Sequence, residues 1–562
     1  MAKTVAIGIQ DFGKLIENDY FYIDKTAFIR EWWESGDDVT LIMRPRRFGK
    51  TLNLSMLDYF FSVCHAGRSD LFERMEIWKE EKYRVLQGSY PVIRLSFADV
   101  KGTDYEGTCI KICQILADLY AQNYFLLDSG ILNEAEQTFF CRISDRMDML
   151  DAAIAVKRLS HFLYRYYGKK VLILLDEYDT PMQEAYVSGY WNKLAEFIRS
   201  MFNSAFKSNP WLDRAVITGI TGVSKESLFS DFNNLSVASV TCGRYGSAFG
   251  FTEAEVFAAL DAYGIGEKEE VKRWYDGFVF GEWRNIYNPW SVLNFLREKK
   301  FETYWANTSS NFLAGKLIME GSPDMKMVME ELLQGKSFYT ALEEQVVFEQ
   351  LSYSESAVWS LLLAAGYLRV EGCRGHTCGR IRKKEYELKL TNLEVCLLFE
   401  QLIGGWFQER VPAYRTFVRA LLQHDKNAMN TYMNKVALET FSYFDTGKNP
   451  SKTAEPERFY HGFVLGLMVD LAGAYTITSN RESGFGRYDV MLKPVERNAD
   501  AFILEFKVRD PKEERSLQDT VEKALQQIAQ RRYAAALEAE GIAGERIWCY
   551  GFAFEGKEVL IG

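Results

Sequence analysis

Proline is scarce in this chain, 11 of 562 residues, so long rigid linkers are excluded and closely docked folding units are expected. The nine cysteines are scattered. Cys109 and Cys113, then Cys373 and Cys378, are the nearest pairs, and none forms paired C-x-x-C knuckles. Reduced thiols in a cytoplasm are the expectation. Long apolar runs are missing too, since Val171–Leu175 and Leu361–Ala365 fall far short of a membrane span. The opening MAKTVAIGIQDFGKLIENDYFYIDKT holds acids where a secretory signal needs continuous apolar residues. These absences predict a cytoplasmic protein with no membrane partner. Nor is there an excess of positive charge: 67 Lys and Arg against 77 Asp and Glu give -10, so a nucleic-acid surface has to be a local patch. Neither an internal repeat nor a low-complexity linker is visible. What is present is 48% apolar and 15% aromatic residues, enough for large cores in roughly three or four folding units.

Val39–Met43 reads as a short buried strand, Arg44-Pro45-Arg46-Arg47-Phe48-Gly49-Lys50-Thr51 as a loop, and LNLSMLDYFF as a helix. A loop ending in Gly-Lys-Thr at a helix N-terminus suits a nucleoside triphosphate. Arg46, Arg47, Phe48 and Gly49 surround the phosphates, Lys50 reaches the β and γ groups, and the Thr51 hydroxyl ligates Mg2+. The first glycine of G-x-x-x-x-G-K-[ST] falls on Arg44, which Pro45 biases toward extended backbone. Taken alone, the loop reads equally as a basic turn opening an amphipathic helix. A second motif decides for the phosphate. The apolar run Val171–Leu175 ends in Asp176-Glu177, as a parallel strand buried on both faces would, with acids at the edge where open α/β sheets bind ligands. Asp176 is expected to hold Mg2+, and Glu177 to orient or deprotonate the attacking water. A further strand, Ala215–Thr221, offers Thr218 as a sensor beside the γ phosphate, or as hydroxyl satisfying a strand end.

These segments, IGIQDFGKLIENDYFYIDKT, RPRRFGKT, LLDEYDTP and ITGITGVSKESLFSDFNNL, resemble the AAA-ATPase-like family of bacterial and archaeal P-loop proteins. The resemblance covers about the first half of the chain. It implies ATP as ligand, an additional-strand type of P-loop ATPase, and a loop commonly written RPRRFGK[ST], in which Arg44 is a family trait. Arg244 is a candidate arginine finger.

The middle of the chain, from about Phe251, reads as helical and aromatic, with short strand-like segments GYLRV and EYELKL. SAVWSLLLAAGYLRVEGCRGHTCGRIRKKEYELKLTN fits either a solvated hairpin or a helix with a β-wing whose Arg374, Arg380, Arg382, Lys383 and Lys384 touch phosphates. Cys373, His376 and Cys378 are close, but no second cluster follows at zinc-site spacing.

Near the C-terminus, Arg487–Leu492 reads as a strand, KPVERNAD as a turn and Ala501–Val508 as the returning strand. Strand alternation puts Ile503, Glu505 and Lys507 on one face and Phe502, Leu504, Phe506 and Val508 on the other. A Glu505–Lys507 ion pair would account for two of the charges. Asp489 is left over. Beside Glu505 it makes a hard-oxygen site for Mg2+ or Mn2+, with Lys507 placed to activate water and stabilise charge at phosphorus. Upstream, EPERFYHGFVLGLMVDLAG reads as a helix with Glu457 and His461 on one face. Downstream, a helix opens with a capping box from Ser516 to Asp519 and runs to Gly541, and RIWCYGFAF supplies a last strand.

That order of elements resembles the PD-(D/E)XK nuclease fold, and ERFYHGF, SNRESGFGRYDV, ILEFKV and KALQQIAQRRY are similar to a nuclease family often fused to the ATPase above. The resemblance implies that Glu457 is the helical acid, Asp489 and Glu505 the metal carboxylates, Lys507 the partner in E-x-K, and Gln527 the helix residue near the scissile phosphate. His461, Glu482 and Arg487 are expected to contact substrate or support these groups. The expected protein is α/β throughout: a P-loop NTPase domain with a parallel sheet over 1–250, a helical middle with a winged helix or plain hairpin over 251–450, and a restriction-endonuclease-like domain over 451–562. Its partners would be nucleic acid, DNA rather than RNA, and a second copy of itself. The rival readings are a nucleotide-dependent switch and a DNA-binding regulator, each with a vestigial nuclease site.

Overall fold

Strands that end in the two phosphate-directed motifs form the centre of a five-stranded parallel sheet. In the computed structural model, which describes every residue except 1–2, 221–227, 230–231, 307–311, 320, 334, 344–349, 352, 379–380, 411–413, 441–463, 465–467, 469–470, 472, 484–485, 497, 512 and 556–557, the chain divides into two compact units. The first comprises Met1–Leu317 and Gly335–Cys396, the second Ile318–Gln334 and Leu397–Gly562.

In the first unit, β1 (Val39–Met43), β2 (Val92–Ser96), β3 (Val171–Asp176), β4 (Leu212–Gly219) and β5 (Leu235–Ala238) run in the order β2-β3-β4-β1-β5. All pairs are parallel. Every residue of β1 and β3 is buried, which is why both read as unbroken apolar runs. The strand carrying Thr218 lies between the two motif-bearing strands, so all three carboxyl ends share one edge. Helices supply the cover. Met149–Tyr167 starts where the Asp148 side chain accepts the Leu150 N–H and stops at left-handed Gly168, burying Ala152, Val156, Leu159 and Leu163 along one stripe.

The same unit carries two small antiparallel sheets. One joins β6 (Phe251–Thr252), β7 (Phe278–Phe280) and β8 (Trp283–Tyr287) in the order β6-β8-β7. The helical pattern expected after Phe251 is therefore interrupted. The Lys268–Tyr275 helix ends where Asp276 becomes extended, Gly277 turns the chain at φ 106, and FVF continues as strand. The other sheet holds β9 (Phe338–Thr340), β10 (Leu368–Cys378) and β11 (Ile381–Leu390) in the order β10-β11-β9. Here the short strand-like segments grow into a long hairpin behind the Glu355–Ala364 helix. Arg374 in it pairs with Glu385 and lies over the Tyr339 ring, and Lys384 is exposed. Arg380 lies outside the described residues, as do the side chains of Arg382, Lys383, His376 and Cys378.

The second unit is built on β12 (Tyr475–Ser483), β13 (Gly486–Pro494), β14 (Ala501–Val508), β15 (Ile547–Glu555) and β16 (Glu558–Ile561), in that order. Only β14 and β15 run parallel; the other pairs are antiparallel. Phe502, Leu504 and Phe506 pack with the helices Tyr414–Leu422 and Lys426–Thr440, while Ile503 packs on the opposite face with Met491, Ile528 and Tyr533. The expected capping box at Ser516 and Asp519 is present. The helix it opens ends at Arg531, not at Gly541. Arg532 adopts a left-handed φ of 52 and closes the last turn, which folds Tyr533 into the core.

Candidate functional site

Arg44 shows why this phosphate loop dispenses with its first glycine. The side chain is fully buried, and its guanidinium donates to the carbonyls of Met43, Ala238, Ser239 and Arg244 at 2.7–3.0 Å. It also faces the Phe280 ring at 4.5 Å. Burial lowers its pKa to about 10. A glycine there would remove the one donor group that these four carbonyls share.

The loop then turns through left-handed Arg47 (φ 64) and Gly49 (φ 79), and the helix Lys50–Phe61 begins. Lys50 donates to the carbonyls of Arg44 (3.0 Å) and Pro45 (2.8 Å). Burial depresses its pKa, and the carboxylates of Glu177, Asp176 and Asp179 oppose that shift. Asp176 receives the Thr51 hydroxyl on one oxygen (2.6 Å) and the Thr218 hydroxyl on the other (2.5 Å). Thr218 is thus bonded to Asp176 at the strand ends. Glu177, at φ 51, breaks the strand and accepts the Thr180 hydroxyl at 3.2 Å. Arg46, Arg47, Phe48, Gly49, Lys50, Thr51 and Glu177 line one cavity of about 450 Å³, whose far wall includes Ile9, Tyr22 and Lys25. Arg244 points elsewhere: its guanidinium is bound by Asp37, Ser236 and the Val237 carbonyl.

Two residues here had gone unremarked in the sequence. Asp179 is buried and accepts the Ile220 N–H and the Gln183 amide; its signal was the second acid of LLDEYDTP. Lys25, buried on the cavity wall, pairs with Glu255 at 2.7 Å, 230 residues away, which local spacing does not show.

In the second unit the register that pairs Val490 with Leu504 carries Asp489 to the place opposite Glu505. Asp489 accepts the Phe506 N–H across the strands at 2.8 Å. Glu505 is 1% exposed. The Gln527 amide donates to its Oε1, and the Lys507 ammonium lies 3.9 Å from that same oxygen. Gln527 also donates to the Tyr533 hydroxyl at 3.3 Å. Burial raises the Tyr533 pKa, and the charges of Glu505 and Asp489 push it further up. Tyr533 was missed because it follows a helix break that periodicity does not register. Asp489, Glu505, Lys507 and Gln527 therefore meet at one place. Two hard carboxylates on adjacent strands, one deeply buried beside an ammonium, fit a small divalent cation. Among the described residues no group of three or more His, Cys, Asp and Glu side chains gathers around a metal position. Glu457 and His461 lie outside the described residues; Glu482 and Arg487 are register partners on β12 and β13, and their side chains are not described.

Gly551 stands opposite Glu505 on β15. A Cβ there would sit 2.8 Å from the Val521 carbonyl and 3.0 Å from Ala524 of the helix that carries Gln527. Gly551→Ala is expected to cost about 1–3 kcal/mol and to withdraw Gln527 from Glu505. A thermal melt checks the first, and a weaker affinity of the Asp489–Glu505 pair for Mg2+ or Mn2+ by calorimetric titration checks the second.

The first unit is thus a P-loop nucleotide-binding fold and the second a mixed-sheet α/β fold with paired carboxylates on its central hairpin. The family comparisons agree. Residues 6–229 match the AAA-ATPase-like family, described as predicted AAA-ATPase, and residues 455–562 match the PD-(D/E)XK nuclease superfamily. A protein of Azotobacter chroococcum mcd 1, named as an uncharacterized protein in the vnfD 5' region, is 26% identical over 558 residues, spanning 96% of this chain and 94% of its own length. Among the described residues no helix is long and apolar enough to cross a membrane.

Proposed function

We propose that this chain binds and hydrolyses ATP and cleaves phosphodiester bonds of nucleic acid, DNA in preference to RNA, with the nucleotide state controlling access to the nuclease site. The observation that carries the reading is the convergence of Asp489, Glu505, Lys507 and Gln527 in a chain that also holds the Lys50–Thr51–Asp176 cradle. At the cradle, Lys50 leaves its two loop carbonyls for the β and γ phosphates, Thr51 and Asp176 hold Mg2+, and Glu177 orients water. Thr218 keeps Asp176 aligned. At the nuclease site Asp489 and Glu505 hold Mg2+ or Mn2+, which when bound polarises the phosphodiester and acidifies water. Gln527 fixes Glu505, Lys507 stabilises negative charge at phosphorus, and Glu457 adds an acid. The supporting groups are His461, Glu482 and Arg487. A cytoplasmic setting and work on foreign or mobile DNA suit such a pairing, as does self-association through the ATPase.

The test is to follow labelled DNA and RNA, and phosphate release from ATP, with Mg2+ or Mn2+. Metal-dependent cleavage and steady ATP turnover are expected. Tight ATP binding without turnover or cleavage would replace this reading with a nucleotide switch.

A further inference from the structure

Four consecutive residues of the phosphate loop are held by residues outside the matched segment 6–229. Pro45 lies against Gly366, Arg47 stacks over Trp290 at 4.6 Å, and Phe48 packs on Phe278 and Phe280. The fourth contact is the most directional: the Trp305 indole N–H donates to the Arg46 carbonyl at 3.0 Å. Trp305 is 2% exposed. Its own backbone N–H donates to Glu394 Oε1 at 2.6 Å, and Glu394 Oε2 accepts the Ser291 hydroxyl at 2.8 Å.

Glu394 is 1% exposed. Facing it are the Ser291 hydroxyl, the backbone N–H groups of Tyr304, Trp305 and Ala306, and the phenols of Tyr275 and Tyr304. Among the described residues no cationic side chain pairs with it. Burial raises its pKa to about 7 despite the donors. No step of the proposed chemistry uses this buried acid.

Because a trans peptide sets C=O and the next N–H on opposite sides, a donor that fixes the Arg46 carbonyl also fixes the Arg47 N–H. Trp305 does not line the nucleotide cavity, whereas Arg46 and Arg47 do. Holding the carbonyl toward Trp305 therefore turns the Arg47 N–H away from it, as a phosphate donor requires.

We propose that Trp305 and Glu394 are positioning residues of the nucleotide site: Glu394 anchors the Trp305 backbone, and the Trp305 indole sets the Arg46–Arg47 peptide for phosphate. The inference rests on the nucleotide-binding reading above. Glu394 protonates as pH falls through about 7, placing a proton where four donors already point, so the anchor weakens on the acid side.

The experiment titrates the full-length wild type, Trp305→Phe and Glu394→Gln with Mg-ATP and separately with adenosine, and records each melt without ligand. Trp305→Phe is expected to weaken ATP about threefold to tenfold, the worth of one hydrogen bond, and to leave adenosine affinity unchanged, since adenosine has no phosphate. ATP affinity of the wild type should fall below about pH 7 more steeply than that of Glu394→Gln, which keeps the nucleotide's own titration and that of Asp276, raised by burial to about 6, but loses that of Glu394. Equal loss of ATP and adenosine, or unchanged ATP affinity in Trp305→Phe, would overturn the proposal. Should Trp305→Phe not fold, superimposable pH profiles for wild type and Glu394→Gln would overturn it. A wild type that binds no ATP would overturn the nucleotide reading itself, and this inference with it.

Discussion

Replacing Asp489 with alanine or asparagine is expected to lower metal-dependent cleavage by about a thousandfold or more, the scale of several kcal/mol in the transition state. The two variants separate chemistry from folding. Asp489 accepts the Phe506 N–H at 2.8 Å, so alanine also leaves a strand N–H without its acceptor and should cost about 1–3 kcal/mol of stability. Asparagine keeps an acceptor oxygen in the same shape and removes only the charge that a cation requires. Equal loss of cleavage with unequal melting temperatures is the expected pair of results. Cleavage retained in Asp489→Asn would remove this carboxylate from the metal site. ATP binding, which depends on the other unit, should be unchanged in both.

Lys50→Ala is expected to weaken ATP binding about 10-fold to 100-fold, since a charge-assisted contact contributes about 1.5–3 kcal/mol. The protein should not melt appreciably lower. Lys50 does donate to the Arg44 and Pro45 carbonyls, but burial disfavours its charged form, so deletion removes a desolvation cost along with two hydrogen bonds. Circular dichroism and a nucleotide titration check both halves. Unchanged ATP affinity in a folded variant would remove Lys50 from the site.

The motifs that could be read from the chain are those whose chemistry lies within a few residues. β1, loop and helix follow one another directly, β3 announces its burial by an unbroken apolar run, and the alternation along β14 separates Glu505 and Lys507 from Phe502, Leu504 and Phe506. What could not be read depends on distant partners. The role of Arg44 is defined by carbonyls near residues 238–244, and Trp305 reaches Arg46 across 259 positions. β12 and β16 were not anticipated. β16 is four residues long, too short for a periodicity, and β12 reads YTITSNRES, whose alternation gives way after Ile477 to a run of polar residues. The break at Arg532 is a backbone event, a left-handed residue of a type that usually continues a helix, and Tyr533 was hidden with it.

The most direct measurement is cleavage of labelled linear DNA with Mg2+ or Mn2+, with and without ATP, by the wild type, Lys50→Ala and Asp489→Asn side by side. Cleavage by the wild type is expected to respond to ATP, cleavage by Lys50→Ala is expected not to, and Asp489→Asn is expected to show none. Equal cleavage by wild type and Asp489→Asn would contradict the proposed nuclease site.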